Sequence, residues 1–172
     1  MRLALITVCC LALCTLPALA QNSKAPMSDQ RFLDFAAQTD MVEAHLGNLA
    51  QDAAKSQDVK DYGRMVADDH TQDFQKLQSL AQQTGLILPT SIDAEHNKKL
   101  IEPLHTLKGA AFDRKYIQDM VAGHTEAIAV YKKEAQDATN PALRSYAQDT
   151  LPTLQKHLDH AKAIEQGKMP SM

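Results

Sequence analysis

The sequence predicts an all-α fold: an antiparallel four-helix bundle with a long crossover, containing a short helix, between its second and third helices. Three observations predict it. Apolar residues recur at helical spacing through four long segments, and no stretch shows sustained period-two alternation. Ala, Leu, Gln, Asp and Lys dominate, Trp is absent and aromatics are only 5%, a mix that favours helix over strand. Turn and stop signals divide the four segments into two hairpins joined by one long connection. At 172 residues the chain is long enough for one domain with a proper core.

The N-terminus reads as a targeting segment. Arg2 gives a positive start, Leu3 to Leu16 is apolar, and Ala18-Leu19-Ala20 is a small-x-small cleavage site. We therefore expect a signal peptide over 1–20, export to the periplasm or cell envelope, and a mature chain that begins near Gln21. The apolar run is too short for a membrane span, so no transmembrane segment is expected after cleavage. Cys9, Cys10 and Cys14 all lie in this segment. The mature protein is then cysteine-free, and helix packing must stabilise it without disulfides. Loss of Arg2 leaves 17 basic against 21 acidic residues with no basic patch, which argues against nucleic acid as a partner.

Residues 21–28 form a polar linker, and the bundle is expected over 29–166. Ser28 caps the first helix, with Asp29 in its first turn. That helix runs to about Ala54 on a stripe of Phe32, Phe35, Ala36, Thr39, Val42, Leu46, Leu49 and Ala53, with Glu43 inside the stripe. Ser56-Gln57-Asp58 supplies a turn and cap. The second helix continues through Val59, Tyr62, Val66, His70, Phe74, Leu77 and Leu80 to Gly85. So short a connection makes these two helices antiparallel neighbours. From Leu86 to Lys108 the pattern changes. Pro89 ends any helix, Asp93 to His105 can form a short one, and Pro103 is expected to interrupt it. The Glu102-x-x-His105 spacing within it is read as coincidence on a surface helix.

The third helix starts near Gly109 and buries Phe112, Tyr116, Ile117, Met120, His124, Ile128 and Tyr131. Asn140-Pro141 caps and opens the fourth, which carries Leu143, Ala147, Leu151, Leu154, His157, Leu158, Ala161 and Ile164. Pro152 lies inside it and is expected to bend it. Residues 167–172 read as a flexible tail. A short internal echo relates Asp40-Met41-Val42-Glu43-Ala44-His45 to Asp119-Met120-Val121-Ala122-Gly123-His124. Two similar hairpins joined by a crossover is the layout of ferritin-like bundles.

Each long helix places one strong ligand type on its apolar stripe: Glu43, His70, His124 and His157. At 1.5 Å per residue, with Asp29 as the floor, Glu43 stands roughly 21 Å up and His70 roughly 19 Å. His124 stands near the middle of its helix, and His157 roughly 24 Å from the start of the fourth, which a crossover brings to the same level. One carboxylate and three neutral imidazoles can ligate a divalent zinc, iron, manganese or copper ion. Asp69, Asp73, Tyr116 and Tyr131 are the candidates to hydrogen-bond and orient those ligands. The competing reading is a buried polar layer without metal. The dinuclear carboxylate-bridged ferritin site is poorly supported, because Ala67 and Leu154 stand three before His70 and His157 where that chemistry needs Glu. His45 and His160 are expected to be exposed.

Together, Val42-Glu43-Ala44-His45-Leu46-Gly47, Asp69-His70, Phe112-Asp113, the His124 segment and Leu151-Pro152-Thr153-Leu154 with His157 resemble an exported bacterial family. It is domain-of-unknown-function family 4142, assigned to the ferritin-like fold. The likeness runs from about Asp29 to Ala161. It implies an envelope-associated helical bundle and no established activity. No nucleophile triad, phosphate loop or paired-carboxylate motif supports catalysis, and no organic cofactor is expected. The two functions carried forward are a bundle that binds a divalent metal through Glu43 and the three histidines, and a non-enzymatic envelope interaction or stress-protective protein whose polar layer is only structural.

Overall fold

The structure is a computed structural model that describes residues 27–168. The expected signal peptide, most of the 21–28 linker and most of the 167–172 tail lie outside the described residues. Helix α1 (Asp29–Ala53) begins at Ser28, whose hydroxyl accepts the Arg31 N–H at 3.3 Å. Its buried face is wider than a single stripe. Leu33, Ala37, Asp40, Gly47 and Ala50 are buried, while Phe35, Thr39 and Leu49 are only half-buried. The reason is that α1 packs on α2, α5 and the crossover at once.

Helix α2 (Gln57–Thr84) stops at Gly85, whose φ of 70° lies in the left-handed region that glycine enters without a side-chain clash. The α1–α2 turn is held differently from expectation. The Ser56 side chain makes no cap bond; instead Asp113, at the start of α5, accepts the Lys55 and Ser56 N–H groups at 2.9 and 3.0 Å. Within the hairpin the two backbones nearly touch. A Cβ at Gly47 would lie 2.4 Å from the Gly63 carbonyl oxygen, and one at Gly63 would lie 2.7 Å from the Ala50 Cβ.

The crossover runs alongside α1 from Gln30 to His45. Gln30 brackets Ile87, donating to its carbonyl at 2.7 Å and accepting its N–H at 3.0 Å. Gln38 does the same further along, donating to the Ser91 carbonyl and accepting the Asp93 N–H, both at 3.0 Å. Asp93 caps a helical stretch made of α3 (Ala94–His96), a π-helical turn (Asn97–Ile101) and α4 (Glu102–His105). Pro103 was expected to interrupt this stretch and does not. A proline ring clashes with the carbonyl four residues back in an α-helix, and the wider π turn just before Pro103 relieves that clash. Ile101 and Leu104 then anchor the stretch in the core.

Helix α5 (Gly109–Asp137) and helix α6 (Pro141–Glu165) form the second hairpin. Asn140 caps α6 by accepting the Ala142 N–H at 2.9 Å, and α6 continues through Pro152. Phe32 at the start of α1 meets Tyr131 near the end of α5, with ring centroids 5.1 Å apart, and Asp113 meets the end of α1. Those two helices are antiparallel. Tyr62 against His160 and Asp73 against Tyr146 make α2 and α6 antiparallel as well. It follows that α2 and α5 run in the same direction, which is what the crossover permits.

The apolar interior falls into two clusters. One holds Phe32, Leu33, Leu77, Tyr131, Leu143 and Leu154; the other holds Val42, Leu46, Tyr62, Val66, Phe112 and Met120. Asp40, His70 and His124 each fall, along their own helices, between the two clusters, and His157 stands at the same level.

Candidate metal centre

The polar level is the candidate site. His70, His124 and His157, from α2, α5 and α6, are all buried, and each offers a ligand atom within 4.8 Å of the other two. Their ring centroids are 5.2–5.9 Å apart. Each helix delivers its histidine here for the same reason: the ring sits in register with the apolar residues one turn away on either side.

Each ring also has one nitrogen committed to a partner on its far side. His70 Nδ1 pairs with Asp40 Oδ1 at 2.8 Å. His124 Nδ1 donates to the Met120 carbonyl at 2.9 Å. His157 Nε2 pairs with Asp69 Oδ2 at 2.8 Å. With these N–H groups donated outward, the neutral rings turn His70 Nε2, His124 Nε2 and His157 Nδ1 inward. His70 Nε2 is buried and, among the described residues, has no hydrogen-bond partner. His124 Nε2 and His157 Nδ1 face each other at 3.2 Å. Two lone pairs at that distance repel unless a proton or a cation lies between them. Carboxylate and carbonyl partners behind imidazoles are the usual way a protein fixes metal-binding tautomers.

The electrostatics agree with neutral rings at two positions. Burial, and then the charge of His70, hold His124 down to about 3, and the same two causes hold His157 down to about 4 against the pull of Asp69. His70 differs. Burial opposes its charging, but the hydrogen bond and charge of Asp40, with Glu43 and Asp73 behind, outweigh that and raise it. Asp40 itself is pushed up to about 7 by burial despite its bond to His70.

Glu43 is buried on α1, one turn beyond Asp40, but stands outside the three-histidine group. Its Oε2 is buried and unpartnered among the described residues, and burial pushes the carboxyl up to about 7 against the charge of His70. The Tyr62 and Tyr116 hydroxyls, raised first by burial and then by the charge of Glu43, are likewise unpartnered. Among the residues expected to orient ligands, Asp69 contacts a site histidine. Asp73 and Tyr131 join through Tyr146 instead: the Tyr146 hydroxyl donates to Asp73 at 2.5 Å and lies 3.1 Å from the Tyr131 hydroxyl. Asp40 was not among the expected residues. The signal for it was the hairpin itself, because Asp40 and His70 stand equally far from the α1–α2 turn. His45 is exposed as expected, whereas His160 is half-buried with its ring against Tyr62.

Among solved structures, the chain is similar to CopM in the Cu(II)-bound form, with a TM-score of 0.68 and 17% identity over 83% of this chain and 98% of that one. It is similar also to CopM in the Ag-bound form, at a TM-score of 0.66 and 17% identity over 82% and 97%, and in the apo form, at 0.66 and 17% over 82% and 98%. At this identity the likeness speaks for the helical-bundle fold alone. No curated protein matches the chain. The family model for a domain of unknown function, DUF4142, matches residues 14–164, and the chain belongs to that family.

Proposed function

We propose that this is a metal-binding bundle of the cell envelope, in which His70, His124 and His157 hold one ion between the two apolar clusters. The carrying observation is the convergence of three buried imidazoles, each already tied at its outer nitrogen by Asp40, the Met120 carbonyl or Asp69. Three neutral imidazoles suit copper and zinc, whereas magnesium and calcium prefer oxygen donors. The bundle neighbours are described with Cu(II), Cu(I) and Ag bound, which favours copper among the candidate ions. Glu43 is the nearby carboxylate that balances the charge of a divalent ion and can serve as a fourth donor; its unpartnered Oε2 supports that role. An ion here supplies a fixed positive charge and, if it is copper, a one-electron redox centre enclosed by the bundle. The role is storage, sensing or redox protection rather than turnover of a substrate.

The test uses protein without an affinity tag, loaded separately with Cu(I), Cu(II), Zn(II), Fe(II) and Mn(II). One equivalent of Cu(II) or Zn(II) should be retained. The melting temperature should rise by roughly 5–10 °C at about a hundredfold excess over Kd, since such binding stabilises by ~2.7 kcal/mol. The His70→Ala and His124→Ala variants should lose both effects. Retention of neither Cu(II) nor Zn(II) would leave the polar layer as a structural feature only.

A further inference from the structure

A second group of histidines lies outside the buried centre. His45 on α1 and His105 at the end of α4 face each other across the crossover. Their Nε2 atoms are 3.1 Å apart, with ring centroids 5.4 Å apart and 30° between the ring planes. The pair joins elements sixty residues apart in the chain, so it is not an accident of helical spacing. Both rings are exposed.

In the hydrogen-bonded pair one Nε2 carries the hydrogen and the other accepts it. If each ring instead carries its hydrogen on Nδ1, two nitrogen lone pairs point at one another. Monovalent d10 ions favour that two-coordinate arrangement, and seating one needs the nitrogens to move apart, further for silver(I) than for copper(I). Exposed side chains on two separate elements can do this by small rotations. A third donor is at hand. Met41 lies one helical turn before His45, on the same face of α1, and both line a cleft of ≈ 530 Å³ between α1, α2 and the crossover. A thioether is a soft ligand that selects Cu(I) over zinc and other harder ions.

We propose that His45 and His105, with Met41 beside them, form a surface site for a soft monovalent cation of the Cu(I) or Ag(I) class. It is distinct from the buried three-histidine centre and does not depend on it. The cleft lined by Met41 and His45 is lined also by Asp40 and His70. If the buried centre binds metal, this surface site therefore stands on a path to it.

The probe is silver(I) added to the untagged full chain, read by native mass spectrometry and by the imidazole NMR signals of labelled histidine. The first equivalents should shift the ring signals of both His45 and His105. The double variant His45→Ala/His105→Ala should lose one bound silver while keeping the wild-type melting temperature, and Met41→Leu should weaken the same site by tenfold or more. The His70→Ala/His124→Ala variant should keep this silver. That outcome separates the surface site from the buried one, because either can fail alone. Ring signals that stay unmoved by silver would overturn the proposal. So would unchanged silver binding in the His45→Ala/His105→Ala variant, or an equal response of both rings to zinc(II), which would remove the soft monovalent assignment.

Discussion

The Gly47→Ala substitution tests the packing that holds α1 against α2 beside the polar level. The added Cβ would stand 2.4 Å from the Gly63 carbonyl oxygen, 2.9 Å from the Ala67 nitrogen and 3.0 Å from the Ala67 Cβ. That is about 1 Å inside ordinary contact, and two of the three atoms are backbone, so no rotamer change can relieve it. Overpacking of this kind costs about 1–3 kcal/mol, with a rigid backbone neighbour at the upper end. Replacing a mid-helix glycine by alanine returns ~1 kcal/mol of helix propensity. The net loss is therefore about 2 kcal/mol, which for a chain of this size lowers the melting temperature by roughly 4–8 °C. Gly123→Ala on α5 is the matched control. Its Cβ would meet only the Glu43 Oε1 at 3.6 Å, an ordinary contact, so the propensity gain should leave that variant as stable as wild type or more so. Thermal unfolding of both metal-free variants, followed by circular dichroism, decides the matter. A Gly47→Ala protein as stable as Gly123→Ala would refute the close approach of the two helices.

Three further outcomes follow from the same geometry. Asp40→Asn keeps the shape behind His70 but removes its charge, and should weaken the proposed metal binding by about tenfold or more in a competition assay. The Glu43 carboxyl, held up to about 7 chiefly by burial, contributes stability that is complete below its ordinary 4.5 and lost as pH rises through 7. Metal-free Glu43→Gln should thus melt higher than wild type at pH 8 and no higher at pH 4, in melting temperatures recorded across that range. Tyr146→Phe removes the donor to Asp73 and the contact with Tyr131, and should cost about 1–3 kcal/mol in urea unfolding while leaving metal binding unchanged.

The four helices were legible because each obeys one period and ends on a recognisable signal. Ser28, Gly85 and Asn140 do in the structure what their positions imply. The three histidines were legible for a related reason: a polar ring in register with Val66, Met120 or Leu154 has nowhere to go but inward. What periodicity could not show was partnership. Asp40 reads as a polar residue on a helix edge until α2 and the crossover cover it. Asp113 looks like a solvated acid near the start of α5, yet it closes a turn more than fifty residues earlier in the chain. The path through Pro103 needed a change of helical pitch that no single-residue signal announces.

The level at which the site forms has a simpler origin than the crossover. Asp40 and His70 each stand about 20 Å from the turn that joins α1 to α2, at 1.5 Å per residue. His124 and His157 stand about 20 and 24 Å from the turn that joins α5 to α6. Helices of this length span about 37–43 Å, so both pairs lie near mid-height, and they would meet whichever way the second hairpin pointed. The direction of that hairpin instead decides what surrounds the polar level. With α2 and α5 parallel, the start of α5 comes to the α1–α2 turn, where Asp113 closes it, and the end of α5 brings Tyr131 to Phe32. The crossover must then travel the whole length of α1 to reach Gly109. That path lays Ser91 and Asp93 over Gln38, and brings His105 to His45. The convergence of the buried histidines is thus a property of two hairpins of matched proportions. The surface histidine pair exists only because this chain takes the long way round.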